Sequence, residues 1–323
     1  MKKLRVAVLR GGPSPEYDVS LKSGGNVLKN LSPKYEPLDI LITKDGTWHV
    51  GGIATTPDLA CQGVDVIFNA MHGAYGEDGT VQRIMENMHI PYTGSGPLGS
   101  ALAMNKDVAK TIYKKIGLST PEGHVVKEDD DVETQVFKIF YPKRRSSWFV
   151  KPAGSGSSLG TAIVRTTDDL SRGINRARKY SDRVLVEEVI DGKETTCFVI
   201  DALDGSGYYP LPPIEIVKPN GREIFDYDAK YKDMCEERCP GNFTEEEVKN
   251  IQYAAGAAHH ALGLRHYSRS DFIITPEGKI YILETNSLPG MTEQSLITKA
   301  LSATGVHVKD FLDHLIALAR ECK

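Results

Sequence analysis

The chain has 323 residues, 40% of them hydrophobic and 25% charged, with a formal net charge of −4. That length is too great for one small core, so two or three domains are expected, and the charge balance offers no basic footprint for nucleic acid. No apolar run approaches the roughly 18 residues a membrane span needs, and five cysteines without a secretion signal point to a reducing, cytoplasmic compartment.

The opening "MKKLRVAVLRGG" carries two lysines, but Arg5 and Arg10 interrupt its short apolar run. It reads as a first strand rather than a signal peptide. Strand and helix signals then alternate to about residue 94: "LRVAVLR", a polar helix after Tyr17, "LDILIT", "VDVIFNAMHG" and a helix after Gly79. This rhythm predicts a parallel sheet with covering helices over residues 1–94. A second unit, 95–184, begins with a helix near 98–117 and strands around 122–126 and 147–151, and "DDLSRGINRARKY" adds a helix. A third unit, 185–323, holds several strands, a long amphipathic helix, a hairpin and a C-terminal helix. Thr244 with Glu247 three residues on predicts a capping box at the start of the long helix. Residues 218–243 are long for a connection and show no clean period; the aromatics Phe225, Tyr227 and Tyr231 favour a lid over a disordered excursion.

The hairpin "SRSDFIITPEGKIYILETNSLPGMT" (268–292) turns at Pro276-Glu277-Gly278. Alternation along a strand points Glu284 and Asn286 the same way, and pairing across the turn brings Asp271 close to Glu284, with Arg269 beside them. Such a face is either solvated or held by a divalent cation. Carboxylate and amide oxygens without nearby His or Cys suit Mg²⁺ rather than zinc. Cys235 and Cys239, the only close cysteine pair, lack the second pair that a zinc site needs.

"WFVKPAGSGSSLGT" places Lys151 at a strand end before a loop of glycines and serines. Glycine lets backbone N–H groups approach an anion closely, so the loop is a phosphate cradle or else a flexible connector. Its order is not that of a Walker A loop, because Lys precedes the glycines. "VEEVIDGKE" sets Glu187 and Glu194 around a turn, either as solvated acids or as contacts to an adenine amino group and a ribose. "RGGPSPEYDVS" lacks the dinucleotide glycine spacing but puts Glu16 and Ser20 at a strand-to-helix turn. His72, in "HGAYGEDGT" at another such edge, is a structural histidine or a substrate contact.

In this order "HGAYGEDGT", "YTGSG", "VKPAGSGSSLG", "DYDAKY", "SRSDF" and "LETNSLPGMTEQSL" resemble the D-alanine–D-alanine ligases of the ATP-grasp superfamily, over about residues 4–320. The resemblance implies an α/β fold of three domains: an N-terminal substrate domain and two α+β domains that clamp ATP. It implies a cytoplasmic enzyme of peptidoglycan synthesis, joining two D-alanines through an acyl phosphate and commonly dimeric. Asp271, Glu284 and Asn286 fall on the family's ligands for two Mg²⁺ ions, with Mn²⁺ as a substitute. Lys106, Lys151 and the lid's Lys230 fall on phosphate lysines; Glu187 and Glu194 on adenine and ribose contacts, with backbone groups near Val189 and Ile190. Glu16 would bind the first ammonium, closing a network with Ser157 and Tyr231, while Arg269 and the Gly290 backbone would stabilise the oxyanion. Ser295 and Leu296 would hold the second carboxylate, and Tyr231 argues for an amine acceptor over D-lactate. The rivals are a ligase using D-lactate, D-serine or another second substrate, and a non-catalytic nucleotide binder.

The chain departs from the family pattern at Arg83, usually small; at Ser270 and Thr285, usually aliphatic; and at Glu188 and Val189 beside the expected adenine. The last two bear on nucleotide affinity.

Overall fold

The computed structural model describes residues 3–141, 147–154, 156, 159–218 and 235–321, which form three sheets. In the first, α1 (Tyr17–Asn30) crosses from β1 (Leu4–Gly11) to the parallel β2 (Tyr35–Ile42). The expected parallel sheet gains an antiparallel edge, because β3 (Trp48–Val50) and β4 (Ile53–Thr55) fold into a hairpin. Its two-residue turn is Gly51-Gly52, with φ of 57° and 82°, the left-handed backbone such a turn requires and glycine adopts without strain. After α2 (Pro57–Ala60), β5 (Val66–Asn69) pairs parallel to β1 on its other side, and α3 (Thr80–Asn87) follows. Val6–Leu9 of β1 and Val66–Phe68 of β5 are apolar on both faces and buried, as a covered parallel sheet demands.

The helix expected near 98–117 is two helices, α4 (Pro97–Met104) and α5 (Lys106–Lys115), broken at Asn105 in extended backbone. The break lets Lys106 N donate to Ala153 O at 3.0 Å, docking the start of α5 on the glycine-serine loop. Both helices pack on the third sheet rather than the second: Ala103, Ala109 and Tyr113 share a core with Val199, Phe272 and Ile282.

The second sheet runs β6 (Gly123–Lys127), β9 (Arg183–Glu188), β7 (Trp148–Pro152), β8 (Ala162–Val164), all antiparallel. It is covered by α6 (Val132–Phe140) and α7 (Thr167–Ala177). The boundary expected at 184/185 therefore falls inside a strand. Pairing on both edges keeps β9 in this sheet through Glu188, and the crossing to the third sheet lies at 189–192.

The third sheet contains β10 (Lys193–Asp201), β11 (Tyr208–Pro210), β12 (Ile214–Val217), β13 (Glu236–Arg238), β14 (Tyr267–Ile274) and β15 (Ile280–Asn286). Alternate residues of β10 feed two cores. Cys197 and Val199 meet α8 (Glu245–Ala261), while Phe198 and Ile200 face α9 (Leu296–Ala303) and α10 (Val308–Glu321). The second core is shared with the first sheet, since Phe311, Leu315 and Ile316 pack with Val6, Val8 and Phe68. α8 starts with the expected capping box: Glu247 N donates to Thr244 Oγ1 at 3.2 Å and Thr244 N to Glu247 Oε2 at 2.7 Å. Of the expected lid, β13 pairs with β12, whereas 219–234 lie outside the described residues. Among the described residues no helix is long and apolar enough to cross a membrane.

Candidate active site

The β14–β15 hairpin pairs Arg269 with Asn286, Ser270 with Thr285 and Asp271 with Glu284. Opposed residues share a face and alternate residues return to it, so Arg269, Asp271, Glu284 and Asn286 stand together. Arg269 Nε and Nη2 donate to the two Asp271 oxygens at 2.9 and 2.8 Å, a bidentate fork. Thr196, across from Asp271 on β10, donates to its Oδ1 at 2.6 Å. Lys106 Nζ lies 3.3 Å from Glu284 Oε2. Burial works against the Arg269 charge, but Asp271, with Glu284, raises the guanidinium above its ordinary value.

Among the described residues no three His, Cys, Asp or Glu side chains form a metal cluster, so a cation at Asp271 and Glu284 would need an amide as its third donor. Asn286 fits that part. Its Nδ2 is buried without a hydrogen-bond partner among the described residues, and pairing with Arg269 keeps it on the face of Asp271 and Glu284. Two carboxylates and an amide oxygen suit a hard divalent ion.

One face of α5 carries Lys106, Lys110 and Tyr113, spaced i, i+4, i+7. Lys110 Nζ lies 2.6 Å from Glu187 Oε1 and donates to Thr120 Oγ1 at 2.8 Å; Lys151 Nζ lies 2.8 Å from Glu187 Oε2. Glu187, 2% exposed, is therefore clasped by two lysines rather than solvated at a turn. Burial opposes its ionisation, yet Lys110 and then Lys151 bring the carboxyl below its ordinary value. Burial also lowers Lys110, to about 8, against the pull of Glu187. The Lys110 ammonium is thus present below that pH and lost above it. If the clasp orients Glu187 and Lys151 for nucleotide, KM for ATP should rise as pH climbs through about 8. Lys110→Met should remove that inflection. A pH profile of KM that is the same in both proteins would refute the role.

Glu194 forms an ion pair with Lys218, and Val189 and Ile190 lie half-buried in the turn between β9 and β10. Glu188 Oε1 accepts from Glu122 N at 2.9 Å. Arg83 is exposed on α3.

On the first sheet's edge, Glu16 precedes α1, with its carboxylate pressed between two glycines. A Cβ at Gly73 would sit 2.6 Å from Glu16 Oε2, and one at Gly156 3.3 Å from it. The glycine-serine loop thus reaches the N-terminal unit at Glu16. Ser157, Lys230 and Tyr231 lie outside the described residues.

His72 is buried where the N-terminal unit meets the loop after β15. Leu288 O, which can only accept, lies 3.2 Å from Nδ1, so Nδ1 carries a proton, and Nε2 lies 2.8 Å from Ser23 Oγ. Asn26 Nδ2 donates to Met291 O at 2.8 Å across the same junction. These bonds join the N-terminal unit to the loop that carries Gly290 and leads to Ser295. Ser295 is the N-cap of α9, but its hydroxyl accepts from Thr292 N at 2.8 Å and does not cap the helix. The first amides of α9, beginning at Leu296, therefore have no side-chain cap.

Residues 112–317 match the family described as D-ala D-ala ligase C-terminus, and residues 5–59 and 53–95 match D-ala D-ala ligase N-terminus. The chain belongs to the D-alanine–D-alanine ligase family. A D-alanine–D-alanine ligase of Desulfotalea psychrophila is 38% identical over 330 residues, covering 99% of this chain and 96% of its own. The D-alanine-D-alanine ligase from Coxiella burnetii has a TM-score of 0.85 at 26% identity, over 99% of this chain and 95% of its own. The VanG D-Ala:D-Ser ligase from Enterococcus faecalis has a TM-score of 0.84 at 30% identity, over 98% and 100%. The fold is the three-domain ATP-grasp architecture of this family. Lys110, Thr120 and Thr196 were not singled out from sequence; the i, i+4 spacing of Lys106 and Lys110 was the signal available for one of them.

Proposed function

We propose that this chain joins two D-alanines into D-alanyl-D-alanine for peptidoglycan synthesis, converting ATP to ADP and phosphate. The observation that carries this reading is the gathering of Arg269, Asp271, Glu284 and Asn286 on one face, beside Lys106 on α5. Family membership supplies the reaction. In the first step a D-alanine carboxylate oxygen attacks the γ-phosphorus and ADP leaves. In the second, the amine of another D-alanine attacks the acyl carbon and phosphate leaves.

The residues divide this work by charge. Glu16 takes the first ammonium, and its glycine-walled position excludes larger neighbours. Lys106 and Lys151 offer phosphate contacts, with Lys230 assigned from sequence alone. Glu187 and Glu194 take the adenine and ribose side, with the Val189 and Ile190 backbone. Arg269 and the Gly290 amide face the oxyanion of the tetrahedral species. Ser295 and the α9 amides from Leu296 hold the second carboxylate, where backbone N–H groups favour an anion. His72 supports this side by joining the N-terminal unit to the loop carrying Gly290. Ser157 and Tyr231 complete the network with Glu16. When held by Asp271, Glu284 and Asn286, two Mg²⁺ ions, or Mn²⁺, would offset charge on the ATP phosphates.

The same reading includes a cytoplasmic homodimer and a division into N-terminal, central and C-terminal domains, with 218–243 as a lid over the nucleotide. The assay that tests the function is phosphate release from ATP with D-alanine, L-alanine, D-serine and D-lactate, singly and in pairs. Release with D-alanine alone and a dipeptide product are expected. Release only when D-serine or D-lactate is added would reassign the second substrate, and none under any condition would remove the ligase reading.

A further inference from the structure

Behind the charged face of the hairpin lies a polar chain that the reaction does not use. Ser270 and Thr285 are register partners, each adjacent to the proposed donors Asp271, Glu284 and Asn286 but pointing to the opposite face. There Tyr113 Oη donates to Thr285 Oγ1 at 2.8 Å, and Thr285 Oγ1 lies 2.8 Å from Ser270 Oγ. The three side chains are 0%, 3% and 1% exposed. Their neighbours Ala109, Phe272 and Ile282 are apolar. Hydroxyls in such surroundings are costly unless they bond to one another, which these do.

Tyr113 stands on the same face of α5 as Lys106 and Lys110. One rigid helix thus meets the hairpin twice: at Lys106, 3.3 Å from Glu284, and at Tyr113, bonded to Thr285. The hairpin needs such a fixed point, because its register shifts at a bulge between Asp271 and Phe272. A slip of one residue would carry the donors to the buried face. Apolar side chains would pack there without direction, whereas a line of hydroxyls holds a single register.

We propose that Tyr113, Thr285 and Ser270 are positioning residues that fix the Asp271–Glu284–Asn286 donor set against α5 and its Lys106. This rests on the reading of those three residues as cation ligands. They touch no substrate and act through the strands that carry the donors.

The test is a Mn²⁺ titration with a non-hydrolysable ATP analogue, following free Mn²⁺ by electron paramagnetic resonance, together with melting temperatures. Tyr113→Phe and Thr285→Val should each weaken Mn²⁺ binding roughly tenfold, the range for residues that orient metal ligands. Thr285→Ser, which keeps the hydroxyl, should restore wild-type affinity. The double variant Tyr113→Phe/Thr285→Val should be little worse than either single one, because both break the same chain. Tyr113→Phe removes one oxygen and keeps the ring, so it serves if Thr285→Val does not fold. Wild-type Mn²⁺ affinity in Tyr113→Phe, with or without a lower melting temperature, would make the chain a packing feature only. Asp271→Asn runs alongside: if it too binds Mn²⁺ normally, the ligand reading itself fails and the positioning role with it.

Discussion

Glu284→Gln and Asp271→Asn are each expected to reduce ligation at least roughly a hundredfold while the chain remains folded, because each removes a charge proposed to face Mg²⁺-ATP. The two variants differ in what else they disturb. Asp271 takes both arms of the Arg269 fork and the Thr196 hydroxyl, so Asp271→Asn also leaves a partly buried guanidinium short of its carboxylate. Glu284 faces Lys106 on the edge of the site, so Glu284→Gln is the cleaner probe. Its defect should concentrate in the Mg²⁺ dependence of turnover, with the melting temperature near that of wild type. Asp271→Asn should show both the catalytic defect and a lower melting temperature. Turnover close to wild type in Glu284→Gln at low millimolar Mg²⁺ would exclude Glu284 as a ligand.

The hairpin was legible in the sequence because strand periodicity and a Pro-Glu-Gly turn decide which side chains meet, with no need for distant partners. The capping box of α8 was legible for the same reason: its bonds span three residues. What could not be read depended on long-range pairing. Glu187 looks like an acid beside a solvated turn, and only the docking of α5 against β9 reveals it as buried between Lys110 and Lys151. The boundary placed at 184/185 lies within β9, whose place in the second sheet is set by its partners β6 and β7 rather than by its own residues. The edge hairpin at Gly51-Gly52 was overlooked although its turn residues are local. Its strands hold three residues each, too few for a period to show. Ser270 and Thr285 read as departures in isolation; the partner that explains them, Tyr113, is over 150 residues away in the chain and was classed simply as part of a helix.

Arg269→Met is expected to lower kcat by about 10²–10³, the cost typical of losing one oxyanion donor. KM for ATP should change far less, because the guanidinium is proposed to act as charge develops on the acyl carbon's oxygen. The same change should also destabilise the fold, since breaking a partly buried pair from one side leaves its partner uncompensated, at less than the about 3–5 kcal/mol of a fully buried pair. Among the described residues Asp271 then keeps the Thr196 bond. The two effects separate with three further proteins. Arg269→Lys retains a charge but cannot make the bidentate fork, so it should recover most of the stability and only part of kcat. Arg269→Met combined with Asp271→Asn removes both charges and should melt higher than Arg269→Met alone, while staying inactive. Asp271→Asn alone supplies the remaining corner of the cycle. The comparison is decisive because stability follows the ion pair and catalysis follows the guanidinium. If kcat tracks melting temperature across the whole series, Arg269 serves only to hold Asp271 in place. If Arg269→Lys melts like wild type yet turns over at least roughly tenfold more slowly, the planar fork itself faces the reacting carbon.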